Sequence, residues 1–285
     1  MSTVAATEGA VDLGGIRWAY TERGGGPPVI FLHGTLTSSA MYAGVIDALC
    51  DRYRCIAVDL PGHGRSGFDP DGWTADDVVA GVTALVSAIG CGPATLVGLS
   101  QGGAVALRVA LAHPGIVTAV VTQGAGPDGP APEAVAVLTA VGCILASGAE
   151  DERRAAATEL QSAFHAAGWL RRHPRQAQDE LAVILAQDRR AVALATRVPG
   201  TYTSIENELG HIRCPALIMW GEEDPRAFWG PRMVTAMPAA RLVTVAHAGH
   251  HMVSDAPAQC VEEIGRFLDE VHGIGAGQDP NRKDD

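Results

Sequence analysis

The stretch TLVGLSQGG, residues 95–103, sets one serine between glycines at i−2 and i+2, where an apolar run ends. Two readings compete. Serine and glycine are common turn residues, so an ordinary turn would satisfy the pattern. The alternative is a strained strand-to-helix turn that holds Ser100 out as a nucleophile. The flanks favour the second. ATLVGL, residues 94–99, is continuously apolar, like a strand buried on both faces. QGGAVALRVALAHP, residues 101–114, reads as a helix stopped by proline. Gly98 and Gly102 have no side chains to clash across a sharp turn, and Gly103 lets helix and strand approach. The helix N-terminus adds free N–H groups and a partial positive charge beside the serine.

The alternation extends outward from this point. GIRWAYTERGGGPPVIFLHG, residues 15–34, holds two strand-like pieces around a Gly/Pro turn. Further strand-like runs are YRCIAVDL (53–60), GIVTAVVTQ (115–123), PALIMWG (215–221) and ARLVTVA (240–246). Helical patterns lie between them. TADDVVAGVTALVSAIG (74–90) opens with Thr74 as N-cap, carries Asp77 in the first turn, and ends at Gly90. APAQCVEEIGRFLDEVHG (256–273) closes the series. Strands alternating with helices predict an α/β fold with a mostly parallel, doubly wound sheet. Sites in such sheets lie outside the carboxyl ends of the strands. The regularity breaks between about residues 126 and 207. There a Pro/Gly hinge, GPDGPAPE, precedes helical runs rich in Ala and Arg with no strand-like segment. The expected organisation is therefore a core of residues 1–125 and 208–272, a helical insertion at 126–207, and a polar, disordered tail at 273–285.

Composition narrows the functional classes. The 285 residues suit one α/β domain with an insertion. With aromatics at only 5%, the core must be built mainly from Ala, Val, Leu and Ile. A net charge of −11 disfavours nucleic acid and anionic membrane surfaces as partners. The six cysteines are scattered without C-x-x-C or metal-ligand spacing. Reduced, buried thiols are expected, and with them a reducing compartment. MSTVAATEGA, residues 1–10, lacks the basic and apolar regions of a signal peptide, and no apolar run reaches the ~18 residues of a membrane span. A cytoplasmic protein is the expectation.

A serine hydroxyl is a weak nucleophile without a base. VTVAHAGHHMVSDAP, residues 243–257, offers His247, His250 and His251 directly after the last strand. No cysteine or carboxylate cluster completes a recognisable metal site around them, so neither metal nor cofactor is expected. An acid should orient the imidazole and stabilise its charged form. LIMWGEEDP, residues 217–225, supplies Asp224 after a strand, with Glu222 and Glu223 as exposed competitors.

The order Ser, Asp, His, together with these contexts, resembles the α/β-hydrolase superfamily, its serine-nucleophile esterase and lactonase branch in particular. The likeness covers nearly the whole chain apart from tail and insertion. FLHGT (31–35) resembles the family's His-Gly segment after an early strand, and DLPGHGRSG (59–67) the loop after the next strand. In AGHHMVSDAP (248–257) the first histidine after Gly249 matches the family's Gly-His, which assigns the base to His250. The resemblance implies a Ser100–His250–Asp224 triad and an oxyanion hole built from the backbone N–H groups of Thr35 and Gln101. His33 and His63 are expected to hold loops. A serine at position 100 in place of aspartate argues against epoxide or carbon–halogen hydrolysis. Gln101, where many relatives carry an apolar residue, brings a polar group toward the pocket.

The implied function is hydrolysis of a small ester or lactone. Three other readings share the machinery: carbon–carbon bond hydrolysis of a diketone-type compound, cofactor-free perhydrolysis, and slow-turnover ligand reception. The insertion is expected to form a lid whose Phe164, His165, Trp169 and Leu170 wall the substrate, helped by Met41, Tyr42 and Trp229.

Overall fold

A computed structural model describes residues 5–274; the predicted tail lies outside the described residues beyond Ile274. In chain order the elements are β1 (Thr7–Leu13), β2 (Ile16–Arg23), β3 (Pro28–Leu32), α1 (Ala43–Leu49), β4 (Arg54–Val58), α2 (Ala75–Ala88), β5 (Ala94–Leu99), α3 (Gln101–Ala112) and β6 (Val117–Gln123). Five helices follow: α4 (Pro132–Ser147), α5 (Glu150–Phe164), α6 (Trp169–Arg172), α7 (Pro174–Leu185) and α8 (Arg189–Ala195). Then come β7 (Ala216–Gly221), α9 (Trp229–Ala236), β8 (Ala240–Val245), α10 (Met252–Asp255) and α11 (Pro257–His272).

The eight strands form one sheet in the order β1-β2-β4-β3-β5-β6-β7-β8. The β1–β2 and β2–β4 pairs are antiparallel, and every later pair is parallel. The period of two along the strands sorts side chains onto two faces. Ile30, Leu32, Ile56 and Val58 point to the face covered by α2, α3 and α9. Their neighbours Val29, Phe31, Cys55 and Ala57 point to the face covered by α1 and α11. This double burial is why the central strands are apolar without alternation. Thr74 caps α2 with the expected reciprocal bonds to Asp77. The core is less purely aliphatic than composition implies, because Trp18, Trp169 and Trp220 are among its largest fully buried side chains. All six cysteines are free thiols, four of them buried.

The helices α4 to α8 interrupt the α/β alternation between β6 and β7. They carry a small core of their own, with Leu145, Ala157, Leu160, Ile184 and Val192 packed around Leu36 from the loop after β3. The insertion is thus seated on the carboxyl edge of the sheet. No described helix is long and apolar enough to cross a membrane.

Candidate active site

Ser100 joins β5 to α3 with φ 52° and ψ −114°. A non-glycine residue there stores roughly 1–3 kcal/mol of strain. The flanks can hold it. Leu96, Val97 and Leu99 are fully buried, at roughly 1.5–3 kcal/mol each. Ser100 N donates to Gln123 O at 2.8 Å, and Ser100 O accepts from Ala104 N at 2.9 Å. The glycines have steric causes. A Cβ at Gly98 would lie 2.3 Å from the Gly102 backbone, and one at Gly102 would lie 2.1 Å from Leu32 O. Gly102→Ala must push α3 off β3, and is expected to cost about 3 kcal/mol or more of stability in urea unfolding. An unchanged midpoint would mean that the elbow has slack.

Asp224 follows β7, and His250 lies in the loop after β8. A Cβ at Gly221 would meet Gly249 O at 2.1 Å, so the two loops touch because neither carries a side chain there. His250 Nδ1 lies 2.7 Å from Asp224 Oδ2, and Asp224 Oδ1 accepts from Arg226 N at 2.9 Å. An ionised carboxylate only accepts, so Nδ1 carries a proton and donates it to Asp224. Burial works to raise the Asp224 carboxyl. The His250 hydrogen bond and charge, with the Arg226 amide and guanidinium, outweigh burial and hold it below the usual range. Ser100 and His250 face one cavity. No hydrogen bond joins the Ser100 hydroxyl to His250 among the described residues; such contacts often tighten only once substrate is bound.

Glu222 and Glu223 are exposed, as expected, yet each accepts a backbone N–H. Glu222 takes that of His247 at 3.0 Å, and Glu223 that of Ala167 in the insertion at 2.7 Å.

Thr35 and Gln101 line the same cavity. As the first residue of α3, Gln101 has an N–H with no carbonyl one turn behind it. The Gln101 side chain has a local task that sequence did not reveal. Its Oε1 accepts from Thr35 Oγ1 at 2.8 Å, tying together the two loops that carry the candidate oxyanion donors. Two neutral histidines brace those loops from behind. His33 Nε2 accepts from Leu60 N at 2.9 Å, and its Nδ1 donates to Gly34 O at 2.7 Å. His63 Nε2 accepts from Leu36 N at 3.1 Å, and its Nδ1 donates to Pro61 O at 2.9 Å.

Burial, with His33 nearby, pushes His63 down to about 3 from an ordinary 6.5. The unfolded chain therefore binds the extra proton first. This contribution to stability is present above pH 6.5 and is lost as pH falls toward 3. Its full slope is about 1.4 kcal/mol per pH unit. In urea unfolding between pH 6.5 and 4, His63→Gln should lower stability at neutral pH and flatten the acid limb. Parallel limbs in wild type and variant would refute the assignment.

The cavity beside Ser100 has a volume of about 340 Å³, and a second chamber of about 290 Å³ adjoins it across Thr35, Leu160, Phe164 and His251. Of the residues expected to wall the substrate, Phe164 lines both chambers and Met41 only the second. The other expectations need correction. Tyr42 is core, its hydroxyl donating to Gln123 Oε1 at 3.0 Å. Leu170 faces an outer groove of the insertion. Trp229 sits behind Gly126, whose backbone, not the indole, reaches the cavity. His165 and Trp169 stack at 3.9 Å between ring centroids, outside both chambers. The walls are smaller residues, chiefly Ala134, Val137 and Leu138 of α4. The signal was available: α4, PEAVAVLTAVGCILAS, is apolar nearly all round, as a helix needs when one side packs and another lines a cavity.

His165 has a structural position. Its Nδ1 lies 2.6 Å from Asp255 Oδ1, and its Nε2 lies 2.8 Å from Glu180 Oε2. Burial opposes its charge, but the two carboxylates prevail and raise its pKa. Glu180 is lowered to about 2, its burial outweighed by His165. An imidazolium thus clamps the insertion to the loop carrying His250. Ligand atoms of His165, Glu180 and His251 lie within 4.8 Å of one another, close enough to gather a metal ion. In the present geometry both nitrogens of His165 are already engaged with carboxylates.

The mostly parallel sheet, the strained serine at the end of β5 and the Asp224–His250 contact between the loops after β7 and β8 define a class: an α/β fold with its candidate site at the carboxyl edge of the sheet. The chain belongs to the α/β hydrolase family, whose model matches residues 29–263. It is 28% identical to a pimeloyl-[acyl-carrier protein] methyl ester esterase from Aeromonas hydrophila, over 86% of this chain and 96% of that protein. It is 36% identical to a 2-(acetamidomethylene)succinate hydrolase from Mesorhizobium japonicum, over 39% of this chain and only 40% of the relative's length. Among solved structures, a thermophilic esterase from Thermogutta terrifontis superposes with a TM-score of 0.85, covering 93% of this chain and 99% of its own at 24% identity. That last likeness concerns the fold.

Proposed function

We propose that this enzyme hydrolyses a carboxylic ester or lactone of a small organic substrate through an acyl-enzyme. The observation that carries the reading is the 2.7 Å contact of His250 Nδ1 with buried Asp224, on the same cavity as a serine held at positive φ. His250 Nε2 takes the Ser100 proton as Oγ attacks the carbonyl carbon. The oxyanion is met by the N–H groups of Thr35 and Gln101. Collapse expels the alcohol, which receives the proton from His250. Water, deprotonated by the same imidazole, then releases the acid and restores Ser100. The relative aligned along nearly its whole length is named as an ester hydrolase, which supports ester over carbon–carbon cleavage. On this reading residues 126–207 act as a lid over a core of 1–125 and 208–272. The free thiols fit a reducing, cytoplasmic setting.

A fluorophosphonate probe tests the assignment. It should label Ser100 in the native protein and fail after heating. Labelling at another serine, or none in a protein that turns over a 4-nitrophenyl ester, would overturn it.

A further inference from the structure

One side chain of the cavity touches none of the reacting atoms in that mechanism, though its charge helps to hold Asp224 ionised. Arg226, two residues beyond the candidate acid, lines the chamber that holds Ser100 and His250. It is the only lysine or arginine among the described residues lining that chamber. Its surroundings do not satisfy a guanidinium. The group has five N–H donors. Among the described residues its one hydrogen bond to protein is a long 3.4 Å contact from Nη2 to Gly124 O. Among the described residues no carboxylate lies within 4.0 Å of it, although such pairs join Arg52, Arg54, Arg65 and Arg153 to acids elsewhere. The face of Trp220 lies 5.7 Å away. Burial lowers its pKa, against the field of Asp224. A partly buried guanidinium with so few of its donors used is costly to hold.

The acidic side chains on the chamber do not fill that place. Asp224 spends one oxygen on His250 and the other on the Arg226 amide. Asp128 also lines the chamber, and its Oδ1 is buried without a hydrogen-bond partner. Its charge acts instead on Arg108, a buried guanidinium bound to three backbone carbonyls. The remainder of the wall is mostly apolar, from Ala134, Val137, Leu138 and Leu160. In such surroundings an ion pair is screened little by water.

We propose that Arg226 is an anion-binding subsite, and that the natural substrate carries a free carboxylate besides the ester or lactone that is cleaved. The guanidinium fork matches a carboxylate in two parallel hydrogen bonds. The subsite also gives a reason for an acidic protein to hold a half-buried arginine at its catalytic edge: it overrides the general repulsion of anions at one point. This inference rests on the serine-hydrolase reading and deepens it.

The test compares matched esters. Mono-4-nitrophenyl esters of the four- to six-carbon diacids carry the anion on the acyl side, with 4-nitrophenyl butyrate, valerate and hexanoate as neutral partners. The valerate ester of 4-hydroxybutyrate, against butyl valerate in a pH-stat, places the anion on the leaving group. In wild type one of the two anionic sets should have the higher kcat/KM. Arg226→Gln should shrink that ratio of anionic to neutral kcat/KM by about 10- to 100-fold, mostly through KM. Arg226→Lys should restore part of it. A structural role through the Asp224 loop would lower anionic and neutral esters together and leave the ratio unchanged, which overturns the proposal. Equal or better turnover of neutral esters by wild type in both sets overturns it as well. The serine-hydrolase reading fails separately, by absence of turnover of every ester and of probe labelling at Ser100.

Discussion

Ser100→Ala is expected to lower kcat/KM for a 4-nitrophenyl ester by about 10⁶-fold, the scale on which a serine nucleophile and its base act as one unit. Without Oγ no acyl-enzyme forms, and His250 can only activate water over an unoccupied position. The same change should barely touch the fold. Alanine meets the same strain at φ 52° as serine does, and the backbone bonds to Gln123 and Ala104 do not involve the side chain. No hydrogen bond of the Ser100 hydroxyl is lost among the described residues, so stability should stay within about 0.5 kcal/mol of wild type. Paired measurements of kcat/KM and thermal midpoint separate chemistry from unfolding. Activity within tenfold of wild type would remove Ser100 from the reaction. A collapse in midpoint would make the variant uninformative about chemistry, and Ser100→Cys would then report through thiol-specific labelling whether position 100 opens onto the cavity.

The parts legible in sequence share a physical trait: each is dictated by local backbone sterics or by burial on two faces. The elbow is legible because Gly98 and Gly102 leave no room for a Cβ. The strands from β3 to β7 are legible because both their faces are buried; β8 is only half-buried and is legible from its apolar residues alone. Strand β1 was missed because it pairs only with β2 and is largely exposed, so TEGAVDL carries no strong apolar signal. The pocket was least legible. Size and aromaticity mark residues such as Tyr42, Trp169 and Trp229 for burial, but say nothing about whether they are buried in core or against a cavity. That choice depends on how the insertion sits, which is set by long-range contacts such as His165 with Asp255 and Glu223 with the Ala167 amide. Arg226 was missed for a related reason. An arginine in a polar loop looks solvated until the loop is seen folded against the cavity.

Asp224→Asn is the variant whose chemistry the local geometry specifies most fully. Asparagine has nearly the shape of aspartate, but its two terminal atoms are no longer alike. The Arg226 N–H, 2.9 Å from Oδ1, demands an acceptor and so fixes the amide oxygen there. The amide NH₂ must then occupy the place of Oδ2, 2.7 Å from His250 Nδ1. Two donors cannot face each other, so Nδ1 gives up its proton and the ring carries it on Nε2. The nitrogen facing Ser100 is then a donor and no longer a base. The negative charge that would stabilise the imidazolium during attack is also gone. We expect kcat to fall about 10⁴-fold, as the same change does in a serine protease, with KM changed much less because no substrate contact is altered. Glu222→Gln and Glu223→Gln are the controls. Their carboxylates are exposed and accept from the His247 and Ala167 amides, which a glutamine oxygen can still do. Rates within a few-fold of wild type are expected for both, since surface changes away from such features have small effects. Should either glutamine variant lose activity while Asp224→Asn retains it, the acid of the site would be that glutamate, and the 2.7 Å contact at His250 would be structural alone.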